Sequence, residues 1–247
     1  MTSTTSATDG GLTPEQAAEI KREISSPVLL PGEAGYDAET SVFNLNNPLA
    51  PAVVVAASGP SDIRAAVHFA ERHSRAVAVR GTGHQVVRAV DGAVLISTSR
   101  INSVNVDPVN RTARVEAGVH WSEVVEACAK HGLAPMSGSA ATVGVVGYLL
   151  GGGQSPVFGR HLGYAADHVH KIEIVTADGE SRTVTAQSDP ELFWALRGGK
   201  GNFGVVTAIE FSVFPMPRFY GGGVYFPGER TADVLHTWRE WAPTLPE

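Results

Sequence analysis

Apolar positions in this chain fall into short blocks of three to five residues with helical stripes between them, a spacing that predicts alternating strands and helices. Val53-Val54-Val55 reads as a strand, Pro60 to His73 as a helix with Ile63, Val67 and Ala70 on one face, and Ala76 to Val79 as the returning strand. No helical run follows Gly81 to His84. Instead Asp91-Gly92 marks a turn and Ala93 to Ile96 another strand. Thr112 to Glu116 alternates as a strand, and Trp121 to Lys130 is helical, with Trp121, Val124, Val125 and Cys128 on its apolar stripe and Gly132 as its stop. Lys171 to Ala177 and Ser181 to Ala186 flank Asp178-Gly179 as a hairpin. Pro190 to Leu196 then reads as a short helix and Val205 to Phe214 as a buried strand. The order predicts an α+β fold: a strand-helix-strand unit with a small sheet, then a larger antiparallel sheet with helices.

Upstream the signals are sparser. Residues 1 to 12 are rich in Ser, Thr and Gly and are expected to be disordered. Thr13-Pro14-Glu15-Gln16 is a capping pattern that opens a helix through Ile24, which Pro27 ends. Residues 28 to 50 hold no sustained period and are expected to cross the fold without regular structure.

Composition narrows the class. The 247 residues, 43% hydrophobic, suffice for one large domain or two small ones. A net charge of -6 with no Lys/Arg run disfavours nucleic acid as a partner. The single cysteine, Cys128, excludes an intrachain disulfide and suits a reducing compartment; on its stripe it reads as a core thiol. The N-terminal residues show no signal-peptide pattern and no apolar stretch is long enough to span a membrane, so a cytoplasmic protein without membrane contact is expected. His168-Val169-His170 lacks a third ligand at suitable spacing, and no metal is expected.

The chemistry lies in the glycines. Arg80-Gly81-Thr82-Gly83-His84, with Gln85 behind it, follows a strand, and glycine there lets backbone amides converge on phosphate oxygens while Arg80 adds charge. A second cluster runs from Gly147 to Gly153 and a third from Gly198 to Gly204. One extended, phosphate-bearing cofactor contacted from several loops explains the three together. Neither common nucleotide motif accounts for them. The sixth position of Gly-x-Gly-x-x-Gly is Val86 with no helix behind it, and Gly199-Lys200 is followed by Gly201 rather than Ser or Thr.

Several segments, in collinear order over about residues 46 to 215, carry a family resemblance. They are the loop at 80 to 84, Thr142-Val143-Gly144-Val145-Val146-Gly147 ahead of Gly151-Gly152-Gly153, Ala166-Asp167-His168-Val169, Val175-Thr176-Ala177-Asp178-Gly179, Asp189-Pro190-Glu191-Leu192-Phe193-Trp194 through Gly199, and Gly201-Asn202-Phe203-Gly204-Val205-Val206-Thr207. Together they resemble the flavin-binding domain of berberine-bridge-enzyme-like FAD oxidases, of the vanillyl-alcohol-oxidase or para-cresol-methylhydroxylase fold. The resemblance implies a two-subdomain FAD-binding domain. FAD would be held by Arg80, Gly81, Thr82, Gly83, His84, Gln85, Thr142, Val143, Gly144, Gly147, Gly151, Gly152, Asn202, Gly204 and Val205. It also implies a covalent bond from His84 to the flavin 8α-methyl, which would raise the flavin potential; the alternative for His84 is a turn histidine bonded to backbone.

The departures matter as well. Relatives with a second bond carry a cysteine where this chain has Ala140, so any tether is through His84 alone. Tyr148 replaces the usual histidine of its segment, and either faces the isoalloxazine as a catalytic residue or packs. The resemblance divides the chain into a tail and helix (1–45), the FAD-binding domain (46–215) and the incomplete start of a substrate domain (216–247). It implies an oxidase taking hydride from an alcohol, sugar or amine carbon to flavin N5, with a small-molecule substrate and O2 as partners. The alternative is a truncated flavin-binding protein without turnover, acting as a binding or interaction module. With the substrate domain only begun, Val205 to Phe214 and Tyr220 to Phe226 are expected to lack cover and to favour a homo-oligomer.

Overall fold

A computed structural model of the chain describes residues 10–46, 48–85 and 90–245. The chain enters through helix α1 (Pro14–Glu23), whose capping box is complete: the Thr13 hydroxyl accepts from the Gln16 N–H and the Gln16 side chain accepts from the Thr13 N–H. Just before it, the Arg75 guanidinium donates to the Gly10 and Gly11 carbonyls at 3.0 and 2.6 Å. The end of the segment expected to be disordered is therefore fixed, and residues 1–9 lie outside the described residues.

The crossing segment is not irregular throughout. It contains strand β1 (Val28–Leu29) and helix α2 (Tyr36–Thr40), each too short to show a period in sequence. Strand β2 (Val53–Ala56), helix α3 (Pro60–Arg72), strand β3 (Val77–Arg80) and strand β4 (Val94–Ser97) complete the first subdomain. Its sheet runs β1-β2-β4-β3, with β2 and β3 each parallel to β4 and β1 antiparallel to β2. Helix α3 buries Ile63, Ala66, Val67, Phe69 and Ala70 in one cluster with Val53, Val55, Val94 and Ile96, the stripe its sequence predicts.

The second subdomain begins with strands β5 (Val104–Asp107) and β6 (Thr112–Glu116) and helix α4 (Trp121–Ala129). On α4 the stripe is Trp121, Val124 and Cys128; Val125 lies one step round the helix and is 41% exposed, contrary to the sequence reading. There follow strand β7 (Leu133–Ala134), helices α5 (Val145–Leu150) and α6 (Gly159–Leu162), hairpin β8 (Val169–Val175) and β9 (Ser181–Thr185), and helix α7 (Pro190–Gly199). The hairpin turns at Gly179 with φ +73°. Strands β10 (Val205–Ser212) and β11 (Phe214–Pro215) split the single run expected for Val205 to Phe214, because Phe214–Pro215 leaves the large sheet to pair with β7.

The five-stranded sheet runs β5-β6-β10-β8-β9, all antiparallel. Central β10 is buried from Val205 to Ile209, so the expectation that it lacks cover does not hold. Beyond it Tyr220, Val224, Tyr225 and Phe226 are exposed, as are Leu235, Trp238 and Trp241 on helix α8 (Thr231–Trp241). The two subdomains share a core: Val175 and Val205 join the α3 cluster, and the Arg64 guanidinium donates to the Gly179 carbonyl at 2.8 Å.

Candidate functional site

The first glycine loop, Gly81 to Gln85, leaves the C-terminal end of β3. Arg80 at that end lines the cavity beside the loop and is also tied to the fold: its Nε donates to the Ser41 carbonyl at 2.8 Å and its Nη1 lies 3.9 Å from Glu39. Glu39 is buried, accepts from the Ser97 hydroxyl at 2.5 Å and pairs with Arg100. Burial alone would raise the Glu39 carboxyl, but the Ser97 hydroxyl and the Arg100 and Arg80 guanidiniums outweigh it and hold the group below the ordinary glutamate range. The Arg80 side chain thus also clasps α2 beneath the loop. This clasp brings Ser41 to Phe43 alongside it, and the Phe43 N–H donates to the Gly83 carbonyl at 2.9 Å.

A cavity of about 250 Å³ opens there, lined among others by Ser41, Phe43, Thr82, His84, His120 and Thr142. The His84 ring stacks on Phe43, with centroids 4.9 Å apart and planes at 30°. Opposite, His120 caps α4: its ring accepts from the Glu123 N–H while the Glu123 carboxylate accepts from the His120 N–H at 2.8 Å. Two glycines are required by space. A Cβ on Gly144 would lie 2.9 Å from Thr82 Cγ2, so only glycine lets the second segment lie against the first. Gly83, at φ +71°, would set a Cβ 2.8 Å from the Ser41 carbonyl.

The second segment divides. Thr142 lines the cavity, Gly147 is exposed, and the Val143 carbonyl accepts from the Trp121 N–H at 3.0 Å. Tyr148 is not among the cavity-lining residues. Its ring stands edge-on to Trp121 at 5.2 Å, close against Gly138 and Gly153, and its hydroxyl is buried with no protein partner. Burial pushes that phenol up to about 12. Gly151 meets Lys200, whose Nζ donates to Gln85 Oε1 at 3.1 Å. Gly152 neighbours Tyr164.

Asn202, Gly204 and Val205 stand apart from the His84 cavity. They line a hollow of about 830 Å³ with Val77 and Val79 of β3 and the β8–β9 turn. The predicted residues therefore occupy two hollows, with the Gln85–Lys200 hydrogen bond joining the first and third segments.

Other candidates take structural places. His168 Nε2 faces the Leu162 carbonyl at 3.0 Å and His170 Nε2 the Ser212 hydroxyl at 2.7 Å. Cys128 is buried in the core, and burial pushes its thiol up to about 11. Among the described residues no group of three His, Cys, Asp or Glu side chains is arranged to hold a metal, and no helix is long and apolar enough to cross a membrane. Sequence reading missed Phe43, His120 and Lys200. Only Lys200 carried a signal, as a lone cation within a glycine run.

The family described as FAD binding domain matches residues 51–185. (R)-6-hydroxynicotine oxidase of Paenarthrobacter nicotinovorans is 30% identical over 226 residues, covering 91% of this chain and 46% of that protein. Among solved structures, BBE-like 1 of Physcomitrella patens superposes with a TM-score of 0.74 at 26% identity, over 80% of this chain and 44% of that one. Xylooligosaccharide oxidase from Myceliophthora thermophila, solved with xylobiose, superposes with a TM-score of 0.73 at 28% identity, over 81% of this chain and 42% of that one. The chain spans about half the length of the curated relatives it matches. The residues present fit FAD: Arg80, Thr82, His84 and Thr142 bring polar groups to the cavity, Gly144 lets the second glycine segment lie directly against the first, and Lys200 brings a cation to the first two segments. By the match over more than half its length, this chain belongs to the FAD binding domain family, FAD is its cofactor, and its fold is that of the FAD-linked oxidases, berberine-bridge-enzyme-like proteins among them.

Proposed function

We propose that this chain is the FAD-binding part of an oxidase acting on an alcohol, sugar or amine carbon, with residues 46–215 as the FAD-binding domain and 216–247 as the start of a substrate-binding one. The observation that carries the reading is the His84 cavity, where the first two glycine segments meet and two histidines face a common space. The substrates that name two relatives, a hydroxynicotine and a xylooligosaccharide, support the breadth of the class. When bound, FAD supplies hydride acceptance at N5, with the electrons passing on to O2.

The chain's own residues bind and orient. Gly81 to Gln85 and Thr142 to Gly144 offer amides and hydroxyls to the cofactor's polar groups, and Asn202, Gly204 and Val205 line the hollow available to its far end. His84 is assigned as the single point of covalent attachment. Two facts support this: Ala140 has no sulfur to offer, and Cys128 is buried in the core. Tyr148, read in sequence as catalytic or packing, is assigned to packing, its ring held against Trp121, Gly138 and Gly153.

The test is spectroscopic. The purified chain is expected to be yellow, to bleach anaerobically with an oxidisable sugar, alcohol or amine, and to recolour in air. Flavin that bleaches with dithionite and recolours in air but ignores every substrate would favour the second reading, a flavin-binding module without turnover. Peptide mapping that places flavin on a residue other than His84 would refute the attachment.

A further inference from the structure

Lys200 stands where all three glycine-rich segments meet. Its Nζ donates to Gln85 at the end of the first, and its Cε lies 2.9 Å from the place of a Cβ on Gly151 in the second. It belongs itself to the third. Among the described residues its only side-chain partner is that neutral amide, with no carboxylate paired to it. Among the described residues the guanidiniums of Arg80, at the foot of the first loop, and Arg100, beyond β4, are already paired, both facing Glu39.

The backbone makes the same point independently. Lys200 has φ +53° and ψ -139°, a conformation open to glycine and strained for lysine, although Gly198, Gly199 and Gly201 surround it. Packing does not account for it, because the ammonium sits at the surface of the loop cluster. A charge kept in a glycine conformation, without a counter-ion and beside amide-rich loops, is suited to an anion that arrives from solution.

Resting on the reading of the chain as an FAD binder, we propose that Lys200 is the cation that holds the FAD diphosphate, exchanging the Gln85 amide for phosphate oxygens. Backbone amides alone would orient the diphosphate without neutralising it. Lys200 supplies the missing charge, and Gln85 parks the ammonium in the free protein.

The test uses the 247-residue chain carrying His84→Ala, so that flavin stays exchangeable, with Lys200→Gly and Lys200→Arg added. Lys200→Gly relieves the strained backbone, so the free protein should unfold at the same temperature or higher. Its Kd for FAD should nevertheless rise about 10- to 100-fold, as loss of one charge-assisted hydrogen bond implies, and depend less on ionic strength. Lys200→Arg should keep most of the affinity. At saturating FAD the reduction potential of the bound flavin should be unchanged in both. FAD bound equally by parent and Lys200→Gly would overturn the assignment alone. A potential that drops in Lys200→Gly would place the ammonium at the flavin ring and overturn it too. A folded parent that binds no FAD would overturn the FAD reading and this assignment together.

Discussion

Glu39→Gln removes the one carboxylate that faces two arginines under the cofactor loop while keeping the shape of the side chain. The Glu39 side chain is 11% exposed and that of Arg80 14%, so this pair is shielded from water; Arg100, at 41%, is not. At 3.9 Å and an effective dielectric near 20, the Arg80 pair alone amounts to about 4 kcal/mol before desolvation. Removing one partner of a buried pair costs about 3–5 kcal/mol, and discounting for the exposed Arg100 leaves about 2–4 kcal/mol. For a domain of this size that lowers Tm by about 4–16 °C. Differential scanning fluorimetry of the free protein at pH 7 reads the shift, and FAD titration reads the loosening of Ser41 to Phe43. The pH dependence has a definite sign. The folded Glu39 carboxyl sits below its unfolded value of about 4.3, so its stabilisation is present above that pH and is lost as pH falls through the lower folded value. The gap between wild type and Glu39→Gln should therefore hold steady from pH 7 to about 5 and close on further acidification. A Tm gap under about 1 °C at pH 7, or one that widens in acid, would refute the reasoning.

Three further outcomes test other parts of the site. Tyr148→Phe deletes a buried hydroxyl with no protein partner and should stabilise the free protein by about 1–3 kcal/mol; a lower Tm in the free variant would contradict this. Gly144→Ala sets a Cβ 2.9 Å from Thr82 Cγ2 and should destabilise by about 1–3 kcal/mol, largely restored by adding Thr82→Ala, as urea unfolding would show; equal losses in the single and double variants would be inconsistent with that contact. Cys128, its thiol raised to about 11 by burial, should resist iodoacetamide at pH 8 in the native protein and react in urea; rapid native labelling would mean that the α4 stripe opens.

Where the determinants are local, the sequence was readable. The Thr13–Gln16 capping box, the α3 stripe and the Asp178-Gly179 turn each depend on residues within a few positions of one another, and each forms as expected. The break at Val213 was not readable: no Gly, Pro, Asn or Asp stands between Val205 and Phe214, and the strand divides because Phe214–Pro215 pairs with Leu133–Ala134. Strand β5 and helix α5 escaped for a related reason, being four and six residues long, the latter in a run rich in glycine. The site follows the same division. The glycine loops announced a phosphate ligand in sequence, but what surrounds His84 is set by positions 39, 80 and 100, which no spacing rule connects. Arg80 is the sharpest case, since its place in the loop was legible and its charge was assigned to the ligand. Buried Glu39 also engages that charge, a partner that no spacing in the sequence reveals, while Arg80 still lines the His84 cavity. Lys200 stood in the sequence only as the residue whose neighbour ruled out a P-loop, and it took the folded loops to bring its ammonium beside Gln85 and Gly151.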